Sequence, residues 1–150
     1  MAQVIGIHIA PSTWPEPVHP VAEVEAIAGQ GLVGDRKFGT RRQITVVSVE
    51  ELDEVAAEWG GEIPPGSTRR QVTISGSRLN REPGATIRLG EVVVSVIGDC
   101  SPCDEMEASV GPGARAALVG RAGVTGTIVE GGMIRVGDPV IVDQPSEASR

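Results

Sequence analysis

"RQVTISGSRLNREPGATIRLGEVVVSVIG", Arg70 to Gly98, decides the fold class. It holds three short β-branched segments, RQVTISG, ATIRLG and EVVVSVIG, separated by Gly, Asn and Pro and recurring about every ten residues. Such spacing predicts a β-sandwich or barrel. Outward from it, QVIGIHIA (Gln3 to Ala10) alternates like a strand, PSTWPEPVHP (Pro11 to Pro20) reads as loop, and AEVEAIAG (Ala22 to Gly29) favours strand. GLVGDRKFGTRR (Gly31 to Arg42) is a glycine-punctuated loop before the buried strand QITVVS (Gln43 to Ser48). One helix is well specified: Ser48 and Glu51 form a capping box, and Val49, Leu52, Val55, Ala56 and Trp59 share a face that should pack on the sheet. Gly60-Gly61 stops it. GPGARAALVGRAG (Gly111 to Gly123) predicts a short helix, and two strands around a Gly-Gly turn, VTGTIVEGG and MIRVGDPVIV, close the chain. The expected class is mainly β with two or three short helices in a single domain, core about 4–142, followed by a polar tail at 143–150.

The 150 residues are 40% hydrophobic and 22% charged, enough for one domain with a proper core. No apolar run reaches the ~20 residues of a membrane span, and no basic residue precedes the first apolar stretch as in a signal peptide. The expectation is a cytoplasmic protein with reduced cysteines and no membrane partner. A net charge of −7 argues against nucleic acid, as do only three aromatic residues, Trp14, Phe38 and Trp59. Nine of the 13 basic residues fall between Arg36 and Arg88, and all but Lys37 are arginine, the fork-shaped cation suited to oxyanions.

Both cysteines lie in GDCSPCDEM, Gly98 to Met106. Four uses fit the C-x₂-C spacing: a zinc site, a dithiol switch, a disulfide, or one reactive thiolate beside a bystander. Zinc is not expected, because a structural site needs four ligands and His8 and His19 flank a proline-rich loop. A thioredoxin-like motif calls for a following helix in a βαβ pattern, whereas DEMEASVGPG breaks after about two turns. Asp104, Glu105 and Glu107 oppose a thiolate, and a helix start there would favour one. The bland alternative is two small buried apolar side chains at a strand end.

GLVGDRKFGTRRQITVVSVEEL, RRQVTISG, GDCSPC and GRAGVTGTIVEGGMIRVGDPVIV occur in that order, and this ordered set resembles the MOSC domain, the C-terminal module of molybdenum cofactor sulfurases that also occurs alone. The likeness spans roughly Val4 to Val142. It implies a β-barrel-like fold and a site for molybdenum cofactor (molybdopterin) or a carried sulfur, built around Cys103 after Pro102, as persulfide carrier or molybdenum ligand. On that resemblance Arg36, Arg41, Arg42, Arg69 and Arg70 would counter the pterin phosphate, the Gly34-Asp35 amides would approach an oxyanion, and Gln71 would face the cofactor. Lys37 stands where the family often has histidine, and Gln71 where it has asparagine. The implied roles are sulfur transfer, or a molybdenum-dependent reduction with a separate electron donor, the partner being a molybdopterin-type ligand or a sulfur donor or acceptor protein. The alternatives are a silent module docking on a molybdoenzyme or its maturation machinery, and a switch in which Cys100 resolves Cys103.

Overall fold

The structure, a computed structural model, describes residues 1–143; the expected tail beyond Asp143 lies outside the described residues. Eleven strands and three helices follow in order: β1 (Gln3–Ile9), β2 (His19–Pro20), β3 (Glu23–Ile27), β4 (Gly31–Leu32), β5 (Ile44–Ser48), α1 (Val49–Trp59), β6 (Val72–Ser75), β7 (Thr86–Leu89), β8 (Val92–Asp99), α2 (Asp104–Val110), α3 (Ala114–Ala117), β9 (Val124–Glu130), β10 (Gly132–Arg135) and β11 (Val140–Val142). Eight strands form one sheet in the order β11-β7-β8-β9-β5-β6-β1-β2, and β10-β3-β4 form a second. The fold is mainly β, with three helices. Among the described residues no helix is long and apolar enough to cross a membrane.

The large sheet curls until its ends approach. Val140 N–H donates to Ala2 O at 3.0 Å and Val4 N–H to Asp138 O at 2.9 Å, with a single bridge between Gln3 and Pro139. The shape is therefore barrel-like without a closed ladder. Alternation explains the interior: Val92, Val94 and Val96 of β8 are buried, while the residues between them are half-exposed. Strand β5 departs from alternation because it is covered on both sides. Its Ile44 and Val46 join the main core, and Val47 joins a second cluster with Leu52, Val55, Met106, Ala114 and Leu118. Parallel strands need a crossover, and α1 supplies it between β5 and β6.

Four details differ from the sequence reading. The stretch 133–142 is two strands, broken at Gly137–Pro139, with β10 pairing β3 and β11 pairing β7. The proline-rich loop ends in β2, where proline is tolerated because the strand is an edge. The capping box does not form: the Ser48 hydroxyl donates to Ser77 O at 2.8 Å. Glu51 instead turns inward to the Arg81 guanidinium, at 2.9 and 3.0 Å. Trp59 packs against the second cluster and the turn before α3, its indole N–H donating to Pro112 O at 3.1 Å beside Gly111 and Gly113.

The Glu51–Arg81 pair pins α1 to the loop after β6, and Arg81 reaches on to Asp99 at the end of β8, at 2.9 Å. Only 2% of the Glu51 side chain is exposed, so its charge depends on the hydrogen-bonded Arg81, with Arg78 farther off at 3.9 Å. Arg81→Met should lower stability by about 3 kcal/mol in urea denaturation, the scale of a buried carboxylate left unpaired. Glu51→Gln should cost clearly less, and equal losses would contradict this account.

Candidate functional site

The pocket is assembled by two turns and the cysteine segment. In the first turn Asp35 is the clamp: its Oδ1 accepts Ala10 N–H at 2.8 Å and its Oδ2 accepts Lys37 N–H at 3.0 Å. The Asp35, Arg36 and Phe38 amides donate to Leu32 O, Ala10 O and Asp35 O. The amides from Asp35 to Phe38 are thus committed within the protein, and neither Gly34 nor Asp35 lines the pocket. What the clamp does is present Arg36 and Lys37.

The second turn leads into β6. Arg69 takes a left-handed φ of 62°, and its guanidinium reaches back over the proline-rich loop. Nη1 donates to Glu16 O at 2.7 Å, Nη2 to Ser12 O at 3.4 Å, and the group lies 5.6 Å from the centre of the Trp14 ring. Its Nε is buried without a partner among the described residues. Burial, then Arg36, lowers the Arg69 pKa. The neighbouring Arg70 reaches the opposite way: Nε donates to Ala122 O at 2.7 Å, and Nη2 to the carbonyls of Cys100 and Ser101, each at 3.2 Å.

That buried guanidinium fixes the C-S-P-C backbone. Cys100 N–H also donates to Gly123 O at 2.8 Å. Only glycine fits at 123, since φ is 97° and a Cβ would lie 2.4 Å from Val46 O. Both cysteines are free thiols, Cys100 buried and Cys103 exposed, and α2 begins immediately after Cys103. Two of the three flanking acids are engaged elsewhere: Asp104 pairs with Arg115, and Glu107 accepts Arg115 N–H at 3.1 Å.

Arg36, Lys37, Arg42, Arg69, Arg70, Cys100 and Cys103 line one cavity of ≈ 160 Å³, together with Thr68, Ser101, Glu105 and Met106. Of the residues singled out in the sequence, Arg41 is exposed and off the cavity wall. Gln71 is buried between β5 and β6, its Oε1 accepting Thr45 N–H at 2.7 Å and its Nε2 without a partner among the described residues. Lys37, noticed in the sequence only as a substitution, is half-buried on the wall. Burial, then Arg36, lowers its pKa, against an opposing pull from Cys100. Its signal in the sequence was its type, the one lysine among arginines.

His8 of β1 supports the second turn from behind, and a Cβ on Gly66 would come 2.7 Å from its Cδ2. Its Nδ1 is buried without a partner among the described residues, and burial lowers its pKa from the ordinary 6.5.

Residues 33–141 match the MOSC domain family. The fold is similar to the YuaD protein of Bacillus subtilis, with a TM-score of 0.77 at 21% identity over 93% of this chain and 94% of that one. It is similar to YiiM of Geobacillus stearothermophilus (TM-score 0.74, 18% identity, 96% and 76% covered) and to YiiM of Escherichia coli (0.68, 18%, 97% and 71%). No curated protein matches the chain by sequence.

Two measurements check the turn that carries Arg69. In the left-handed region glycine is favoured over alanine by about 1 kcal/mol. Arg69→Gly should therefore be more stable than Arg69→Ala by that amount; the reverse order would remove the strained turn from the account. The second concerns His8. The unfolded chain takes up a proton near pH 6.5 that the buried imidazole takes only at lower pH, so the stabilisation present above 6.5 is lost on acidification. His8→Gln should flatten the fall in stability below pH 6.5, and an unchanged slope would show that His8 contributes none of it.

Proposed function

The chain belongs to the MOSC domain family, and on that premise we propose that its arginine-walled pocket binds a molybdopterin-type ligand and that Cys103 carries sulfur as a persulfide. One observation carries the reading: the exposed thiol shares a cavity with Arg36, Lys37, Arg42, Arg69 and Arg70. The family is associated with the molybdenum cofactor, and the residues suit its chemistry. Guanidinium forks grip phosphate oxygens, a thiol is a soft partner for molybdenum, and the unpartnered Arg69 Nε is a donor in want of an acceptor. Bound there, the group would supply a redox-active, sulfur-ligated metal centre. The protein's own part is to hold the phosphate on Arg36 and Arg42, while Arg70 keeps the Cys103 loop in place through its carbonyl bonds.

Sulfur loading needs no net electron transfer. The Cys103 thiolate attacks the outer sulfur of a donor persulfide; a new S–S bond forms on Cys103, the donor's S–S bond breaks, and the donor leaves as a thiolate. The cations around Cys103 lower the cost of bringing an anionic donor against a thiolate on an acidic protein. In the cytoplasm both thiols would start reduced. A second reading, a Cys100–Cys103 thiol–disulfide switch, is favoured by both free thiols lining the same cavity.

Treatment with cysteine persulfide, followed by alkylation and mass spectrometry, separates the two. The wild type and Cys100→Ser should gain one sulfur atom at Cys103, and Cys103→Ser none. Protein from molybdate-supplemented cells should carry molybdenum, with at least a tenfold loss in the double variant Arg36→Ala/Arg42→Ala. Neither sulfur nor molybdenum on the wild type would reject the proposal. Equal failure of both cysteine variants, with a Cys100–Cys103 disulfide in the wild type, would select the switch.

A further inference from the structure

Every Lys or Arg side chain in the sequence except Lys37 is an arginine, and that single lysine stands on the cavity wall between arginines. A site that needed only positive charge would be served by another guanidinium, which stays protonated in any protein environment. Lysine differs in one respect that matters here: it can release its proton and expose a nucleophilic nitrogen. We propose that Lys37 is an imine-forming amine, and that the cavity accepts a small aldehyde or ketone bearing a phosphate group.

Three observations carry this beyond residue type. The Lys37 backbone is fixed on both sides, its N–H held by Asp35 Oδ2 at 3.0 Å and its carbonyl accepting the Thr40 hydroxyl at 2.6 Å. Its ammonium is in no ion pair among the described residues, where Arg78, Arg81, Arg115, Arg121 and Arg135 all have carboxylates. Arg36, Arg42, Arg69 and Arg70 share its cavity, so the same cluster that seats a phosphate also disfavours a further positive charge on the amine. The lowered pKa agrees with that arrangement.

The chemistry balances without a further reactant. The amine lone pair forms a bond to the carbonyl carbon, giving a carbinolamine, and the former carbonyl oxygen leaves as water with the two protons of the amine. A C=N bond replaces C=O, no electron changes hands, and hydrolysis reverses the step. The guanidinium groups hold the phosphate and raise the effective concentration of the carbonyl beside the amine. The inference uses the cation cluster of the proposed function but neither Cys103 nor molybdenum.

The full chain, treated with pyridoxal 5′-phosphate, reduced with borohydride and mapped by mass spectrometry, gives the test. The expected adduct is on Lys37, formed at least tenfold faster than with pyridoxal, which lacks the phosphate, and suppressed by excess inorganic phosphate. Lys37→Arg should leave only the α-amine of Met1 as a target, and Cys103→Ser should label like the wild type. Labelling confined to Met1, or equal rates for pyridoxal and its phosphate, would overturn the inference. Failure of both molybdenum and sulfur loading with Lys37 still labelled would reject the proposed function alone, and the converse would reject the imine site alone.

Discussion

The Arg70 guanidinium, buried and bonded to the carbonyls of Ala122, Cys100 and Ser101, is the constraint on which the pocket depends. A buried cation must recover its lost hydration, and three carbonyl oxygens from two chain segments do so here. The consequence is geometric. The start of β6, the cysteine segment and the segment before β9 cannot separate without leaving that charge unsatisfied. Arg69, one residue earlier, reaches the other way and gathers the loop from Ser12 to Glu16. Two consecutive arginines thus draw four distant parts of the chain around one cavity.

The electrostatics follow a division of labour among the arginines. Arg78, Arg81 and Arg121 meet the acidic face of α1 at Glu51, Glu54 and Glu58, and Arg115 meets Asp104. Most of these pairs are exposed and contribute little to stability. Their effect on the cavity is indirect: they leave the acids of α1 and Asp104 engaged. Arg36, Lys37, Arg42, Arg69 and Arg70 are in no ion pair among the described residues, so a positive cavity persists on a chain of net charge −7.

Much of this was legible in the sequence, for physical reasons that also set the limits. The strands between Arg70 and Gly98 were readable because alternation and turn residues are local signals. The break at Gly137–Pro139 was misread as strand because the partners of β10 and β11, β3 and β7, are far away in sequence. Ser48 and Glu51 had the spacing of a capping box, but each found a stronger tertiary partner, Ser77 O and Arg81. At the site, the clustering in sequence pointed to five arginines, of which Arg36, Arg42, Arg69 and Arg70 line one cavity and Arg41 does not. It could not foretell that Asp35 would consume the amides of its own turn, or that Trp14 would cover the Arg69 guanidinium. Those depend on contacts between β1, the loop after it and the turn before β6, which no local pattern encodes.

The central claim is that these cations act on Cys103, and the charge preference of its alkylation tests it most directly. Cys100→Ser leaves Cys103 as the one thiol of the sequence. Iodoacetate is anionic and iodoacetamide neutral, so their rate ratio reports the local potential. The account predicts a ratio for the folded chain at least threefold above that of the same chain unfolded in urea. The excess should shrink with added salt and in Arg42→Ala. A folded ratio equal to or below the unfolded one would show that no positive field reaches the thiol, and would contradict the account.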